Sequence, residues 1–178
     1  MDFGRAVGIA FATGNGRKLQ EGEVDQTEQV PWLYGLAGIA IVVVAQLALI
    51  FWPTGAAVDA ALLRDLSITA FAALAVPFLL FWIGAIIKRT TARLPAAFLF
   101  LGIALAVLQL VSGVLASFGT GQSGFVIGLL LAVNMLAARG FLKLGWPGAI
   151  LIGVLVVAGF IGANFLLLMV LPSGRLLA

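Results

Sequence analysis

The sequence predicts an all-α polytopic membrane protein with five transmembrane helices behind a short polar N-terminal segment, residues 1–31. Three observations predict it. Of 178 residues, 63% are hydrophobic and only 10% charged, whereas a soluble domain carries about 25% charged residues. A charge at the bilayer midplane costs at least ~2.5 kcal/mol, so a chain embedded in hydrocarbon must be poor in charge. Between Arg93 and Arg139 lie 45 residues with no charge at all. One helix needs about 20 apolar residues to cross, so this stretch holds two crossings, with the turn at Gly119-Thr120-Gly121-Gln122-Ser123-Gly124. Lastly, Lys and Arg divide eight to two between the sides of a five-span arrangement. Arg5, Arg17, Lys18, Lys88, Arg89, Arg93, Arg139 and Lys143 fall on the N-terminal side, Arg64 and Arg175 on the other. By the positive-inside rule the N-terminus is cytoplasmic and the C-terminus exported. The expected location is the inner (plasma) membrane.

The N-terminal segment leaves two readings open. Phe3, Val7, Ala10 and Phe11 recur at helical spacing, which fits a short amphipathic helix over 2–12 in the membrane interface; the alternative is a loosely ordered tail. Thr13-Gly14-Asn15-Gly16 would end such a helix. The early Asp2 and this break argue against a cleavable signal peptide. Glu21, Glu23, Asp25 and Glu28 form an acidic run, expected to be a solvated linker.

The first span, 32–52, is bounded by Trp32 and Trp52, with Tyr34 adding to the interfacial belt. Gln46 is its one polar residue near the middle. Thr54–Ser67 reads as a connector containing a short interfacial helix. The second span, 66–87, holds Pro77, which removes a backbone bond that neighbouring helices must replace. The third, 94–117, carries Pro95 in its first turn, where a missing N–H does no harm. The fourth, 124–138, is short at ~22 Å, and must continue past a snorkelling Arg139 or sit in thinned bilayer. The fifth, 147–171, follows Trp146 and ends at Pro172-Ser173-Gly174.

Several function classes drop out on chemistry. Cysteine and histidine are absent, so no thiol nucleophile, Cys/His zinc site or His-ligated haem can be built. The pI near 10 reflects topology charges, with a net charge of only +3 and no basic patch interleaved with aromatics; nucleic acid is not an expected partner. Gly14-Asn15-Gly16-Arg17-Lys18 lacks the upstream glycine and the following Ser/Thr of a phosphate loop. No catalytic set and no cofactor are expected.

What remains is packing and loop contact. The span interiors carry four amides, Gln46, Gln109, Asn134 and Asn164, expected to pair with one another or with backbone across the bundle. Gly124/Gly128, Ala149/Gly153 and Ala158/Gly162 are small-xxx-small pairs that allow close helix approach. Lys88, Arg89, Arg93, Arg139 and Lys143 are the candidate cytoplasmic interaction residues. Beyond the lipid bilayer, other membrane proteins are the expected partners. These features predict a non-enzymatic scaffold or accessory subunit. The alternative is a transporter or permease component for a small solute or lipid, with Pro77, the short fourth span and the amides as its working parts.

The segments Phe81-Trp-Ile-Gly-Ala-Ile-Ile-Lys-Arg and Ala138-Arg-Gly-Phe-Leu-Lys-Leu-Gly-Trp-Pro-Gly-Ala-Ile-Leu are similar to those of Yip-type (Ypt-interacting) membrane proteins. In them a Gly-containing helix end leads to a short cytoplasmic loop, and a small, a basic and an aromatic residue precede the last span. The order of parts over 32–171 also resembles that family. Thr90-Thr91-Ala92 stands where the family often has Gly-Gly, and the family's N-terminal segment is not matched. The resemblance implies a non-enzymatic protein of membrane organisation and carries over no catalytic residue.

Overall fold

The computed structural model describes residues 1–15, 25–51, 60–117 and 123–170. Six α-helices occupy the described residues: α1 (Phe3–Gly14), α2 (Trp32–Phe51), α3 (Ala60–Lys88), α4 (Leu94–Ser117), α5 (Ser123–Phe141) and α6 (Trp146–Val170). Four stretches, Trp32–Leu49, Thr91–Leu115, Gly124–Phe141 and Trp146–Ala163, are long and apolar enough to cross a membrane. In α3 the described apolar stretch is shorter, Leu74–Lys88. Apolar side chains point outward along these helices, among them Leu36 and Val44 on α2, Val107 and Val114 on α4, and Leu151 and Phe165 on α6.

The boundaries follow local chemistry. Asp2 caps α1, its Oδ1 accepting from the Arg5 N–H at 2.8 Å, and Asn15 closes the other end. Helix α3 corrects the expected connector. From Ala60 it runs without a break through Arg64, Asp65 and Pro77 to Lys88, because no glycine or proline interrupts its first turns. The rest of the expected connector, like the Gly119–Gln122 turn, lies outside the described residues. Of the two readings of the short fourth span, α5 takes the first: it continues past Arg139 to Phe141, giving 19 residues, about 28 Å at 1.5 Å per residue.

The Lys88–Arg93 and Arg139–Lys143 loops meet at one end of the bundle, the basic end, where the Arg93 Nη1 donates to the Gly140 carbonyl at 3.1 Å. The starts of α2, α4 and α6 and the finishes of α3 and α5 gather there. One core layer near this end is built on Phe81, Leu99, Leu101, Phe141 and Leu142; a second, deeper layer holds Val42, Leu105, Leu130 and Val156. Helices α2 and α4 have the most extensive contact, α6 packs on α5 and α3, and α5 also packs on α4.

The α2–α4 contact is backbone on backbone. Gly38 lies against Phe98 and Leu99, Gly35 against Pro95, and the Gly102 Cα faces the Gly38 carbonyl with no room for a methyl between them. In lipid, where tails are as apolar as leucine, such close approach is what holds helices together. The small pairs marked in the sequence behave differently. Gly153 packs on Met135 and Leu131, but Gly124, Gly128 and Gly162 face open space.

Helix α1 is folded onto the basic end and packs on α4 and α5. Its inward face is Ala6, Ala10, Thr13 and Gly14. Phe11 sits edge-on to Phe100 at 5.1 Å between centroids, and Phe100 continues to Phe141 at 5.9 Å. At the helix start, Phe3 packs on Tyr34, whose hydroxyl donates to the Met1 carbonyl at 2.8 Å.

Candidate functional site

The site is built around Arg93. A 3-10 turn, Thr91–Arg93, links α3 to α4 and presents the guanidinium at the mouth of the bundle. A second 3-10 turn, Gln26–Gln29, follows Asp25, whose Oδ1 accepts from the Thr27 N–H at 3.2 Å and from the Thr27 hydroxyl. That fixes one carboxylate oxygen within its own turn and aims the other, Oδ2, at the Arg93 Nη2. Glu28 Oε1 stands 3.6 Å from the Arg93 Nε. With Gly140 on Nη1, the guanidinium fork is engaged on three sides while its side chain is only 2% exposed. A buried cation demands such partners, because desolvation without compensation costs several kcal/mol. Arginine suits the position: its planar fork serves acceptors in several directions at once.

Gly140 is the other half of the site. Its carbonyl accepts from Arg93, and its Cα lies so close to the Thr13 carbonyl that a side chain has no room. Gly14, next to Thr13, rests on the Phe100 ring. Charge pairing through Asp25 and Glu28, together with close packing through Thr13 and Gly14, straps the N-terminal segment across the bundle end. Gly140→Ala is expected to unseat α1 while leaving the α2–α6 packing intact. Limited proteolysis within residues 1–31 should quicken roughly five- to 150-fold, the scale of 1–3 kcal/mol of overpacking; Gly128→Ala, with nothing within 4 Å among the described residues, should leave it unchanged.

No family model, curated protein or solved structure matches the chain. The site therefore has to be interpreted from its own geometry.

The five basic residues singled out in the sequence separate into distinct roles. Arg93, expected to face partners, is turned inward and holds the chain's own acids. Lys143 is exposed, with its Nζ 3.8 Å from Asp25 Oδ2. Arg139 lies over the Trp146 ring at 4.0 Å, a cation–π contact at the bundle rim. Lys88 and Arg89 are exposed and make no ion pair among the described residues. Glu21 and Glu23 lie outside the described residues; Asp25 is turned inward onto Arg93, while Glu28 stays exposed to solvent beside it.

Among the described residues, Asn134 and Gln109 show no hydrogen bond across the bundle. Asn134 is fully buried, yet its Nδ2 donates to Leu130, one turn back on its own helix, at 2.8 Å. Its Oδ1 and the Gln109 Oε1 are buried with no hydrogen-bond partner among the described residues. Gln46 is half-buried on α2, and the Asn164 side chain lies outside the described residues. The residues that sequence reasoning missed are Thr13, Asp25, Glu28, Tyr34 and Gly140. Only Asp25 and Glu28 carried a local signal: three apart, they present two carboxylates on one side of a single turn.

Proposed function

We propose that the protein is a non-enzymatic integral membrane scaffold or accessory subunit of a larger membrane complex. The observation that supports this best is the construction of the basic end. The chain closes that end with its own N-terminal segment and leaves Lys88, Arg89 and Lys143 outward, a fixed charged platform over an apolar bundle. In this reading α3 makes a fifth crossing, the platform is cytoplasmic, the C-terminus is exported and the membrane is the inner one. The Yip-type likeness belongs to the same reading.

Two experiments test it. A reporter active only in the cytoplasm, fused after Arg93 or after Lys143, should be active, and fused at Ala178 should be silent; the reverse pattern overturns the topology. Extracted in mild detergent, the tagged protein should migrate on a native gel in a complex of fixed stoichiometry, lost on charge reversal of Lys88 and Arg89. Migration as a solitary monomer overturns the accessory role.

A second reading, a transporter or permease component for a small solute or lipid, is favoured by one observation: Gln109 Oε1 and Asn134 Oδ1, inside apolar spans, have no hydrogen-bond partner among the described residues. Flux in proteoliposomes that is lost in Gln109→Leu or Asn134→Leu would establish it, and flux equal to empty vesicles would remove it.

A further inference from the structure

Two residues other than glycine hold a left-handed backbone among the described residues, Arg89 at φ 56° and Lys143 at φ 52°. Both are basic and exposed, and each follows the end of a helix at the basic end. At Arg89 the local bonding is that of a glycine-type helix stop: the Thr90 N–H reaches back to the Ala85 carbonyl at 2.9 Å. Lys143 lies in a wider turn two residues past α5, closed by the Leu144 N–H on the Ala138 carbonyl at 3.4 Å. Glycine fits such positions without strain, whereas any side chain carries a steric cost. The favourable field of a helix C-terminus for a cation does not explain the choice, because a residue in the last turn meets that field with ordinary backbone angles. A strained backbone kept at two basic positions points to a use for the side chains.

The two cations stand at the same end of the bundle: Lys143 Nζ is 3.8 Å from Asp25 Oδ2, which pairs with Arg93, four residues after Arg89. The Leu142 side chain packs on Gly84, 2.9 Å from where a Cβ would stand. This contact ties the turn that carries Lys143 to α3 at Gly84, four residues before Lys88. Among the described residues acid compensation here is incomplete: Asp25 is committed to Arg93 and stands 3.8 Å from Lys143, and Arg89 has no ion pair. Directly before these cations, α3 exposes Trp82, Ile83, Ile86 and Ile87. Positive charge above an exposed apolar ladder with an interfacial tryptophan matches an amphiphile and not a soluble acidic peptide.

We propose that Arg89 and Lys143, with Lys88, form a headgroup site for an anionic phospholipid whose acyl chains lie along the Ile83–Ile87 face of α3. The proposal rests on the reading of this chain as a membrane protein with its basic end at the bilayer surface, but not on the accessory role.

The test uses the full-length protein in uncharged detergent, titrated with phosphatidylglycerol or phosphatidylcholine and read by thermal melting and by lipid retention in native mass spectrometry. Wild type should bind phosphatidylglycerol preferentially. Arg89→Gly and Lys143→Gly should each weaken that binding roughly fivefold, and the double variant about thirtyfold. Lipid-free melting temperature should stay equal or rise, since both substitutions relieve the backbone; this separates loss of binding from loss of fold. Wild type that does not distinguish the two lipids, or a double variant with undiminished preference, overturns the site. Equal stabilisation by glycerol phosphate would make it a free-anion site, and tighter binding of poly-glutamate a peptide site; either overturns the lipid assignment. Failure here with the reporter pattern intact would leave the topology standing.

Discussion

Gly102→Ala is expected to drive α2 and α4 apart. The added methyl falls on the Gly38 carbonyl, which is main chain within a helix and has no rotamer to yield. Relief comes only by separating the helix axes, and that loosens the whole seam, Gly35 on Pro95, Gly38 on Leu99 and Gly113 on Leu49. Overpacking commonly costs 1–3 kcal/mol, occasionally more, and rigid backbone on both sides puts this case at about 3 kcal/mol. For a chain of this size that is a fall of roughly 6–12 °C in melting temperature in detergent. Gly124→Ala, which meets nothing within 4 Å, is the control and should melt with wild type. Equal melting of Gly102→Ala and wild type would mean that the seam is not as close as described.

Arg93→Met should release the strap. It strips Asp25 and Glu28 of their cation and leaves the Gly140 carbonyl without its donor. Breaking a buried pair by removing one partner costs about 3–5 kcal/mol, and the lower figure applies because Asp25 is 17% and Glu28 49% exposed. The readout is the rate of proteolysis within residues 1–31, expected to rise about a hundredfold with smaller losses in bundle melting. Arg93→Lys should rescue little, since one ammonium cannot serve three acceptors set around a planar fork. Adding Asp25→Asn and Glu28→Gln to Arg93→Met should cost less than the separate effects combined, because the uncompensated charges are gone. Strict additivity would show that the three residues do not act as a unit.

These two sites also show where sequence reasoning succeeds and stops. Helix α4 was legible to the residue: Pro95 marks its first turn, and an uncharged apolar run carries it to Ser117. The meeting of the two basic loops followed from the length of the uncharged stretch alone. At Arg139 the length of the span left two outcomes, and the structure takes the continued helix, with the long side chain stacked on Trp146. Arg93 read as one more topology charge, because its burial depends on acids from a segment far away in the chain. The glycine seam was hidden for a related reason. Gly35, Gly38 and Gly102 look no different in sequence from Gly124 and Gly128; only the three-dimensional register decides which meet a backbone and which meet open space. The solitary behaviour of Asn134 was also out of reach, since its own Leu130 carbonyl competes with any partner across the bundle.

The seat of α1 has a consequence for biosynthesis. It is made of the start of α4 and the end of α5, so it does not exist when the first thirty residues leave the ribosome. Helix α1 must wait for α4 and α5 before it finds its place, with the Ala6, Ala10 and Phe11 face uncovered meanwhile. Arg93 waits as well: its acids are already synthesised when it appears, but the Gly140 carbonyl comes 47 residues later. A nascent chain stalled ahead of α5 therefore carries an undocked N-terminus. Closure of the strap therefore requires α5 to be in place.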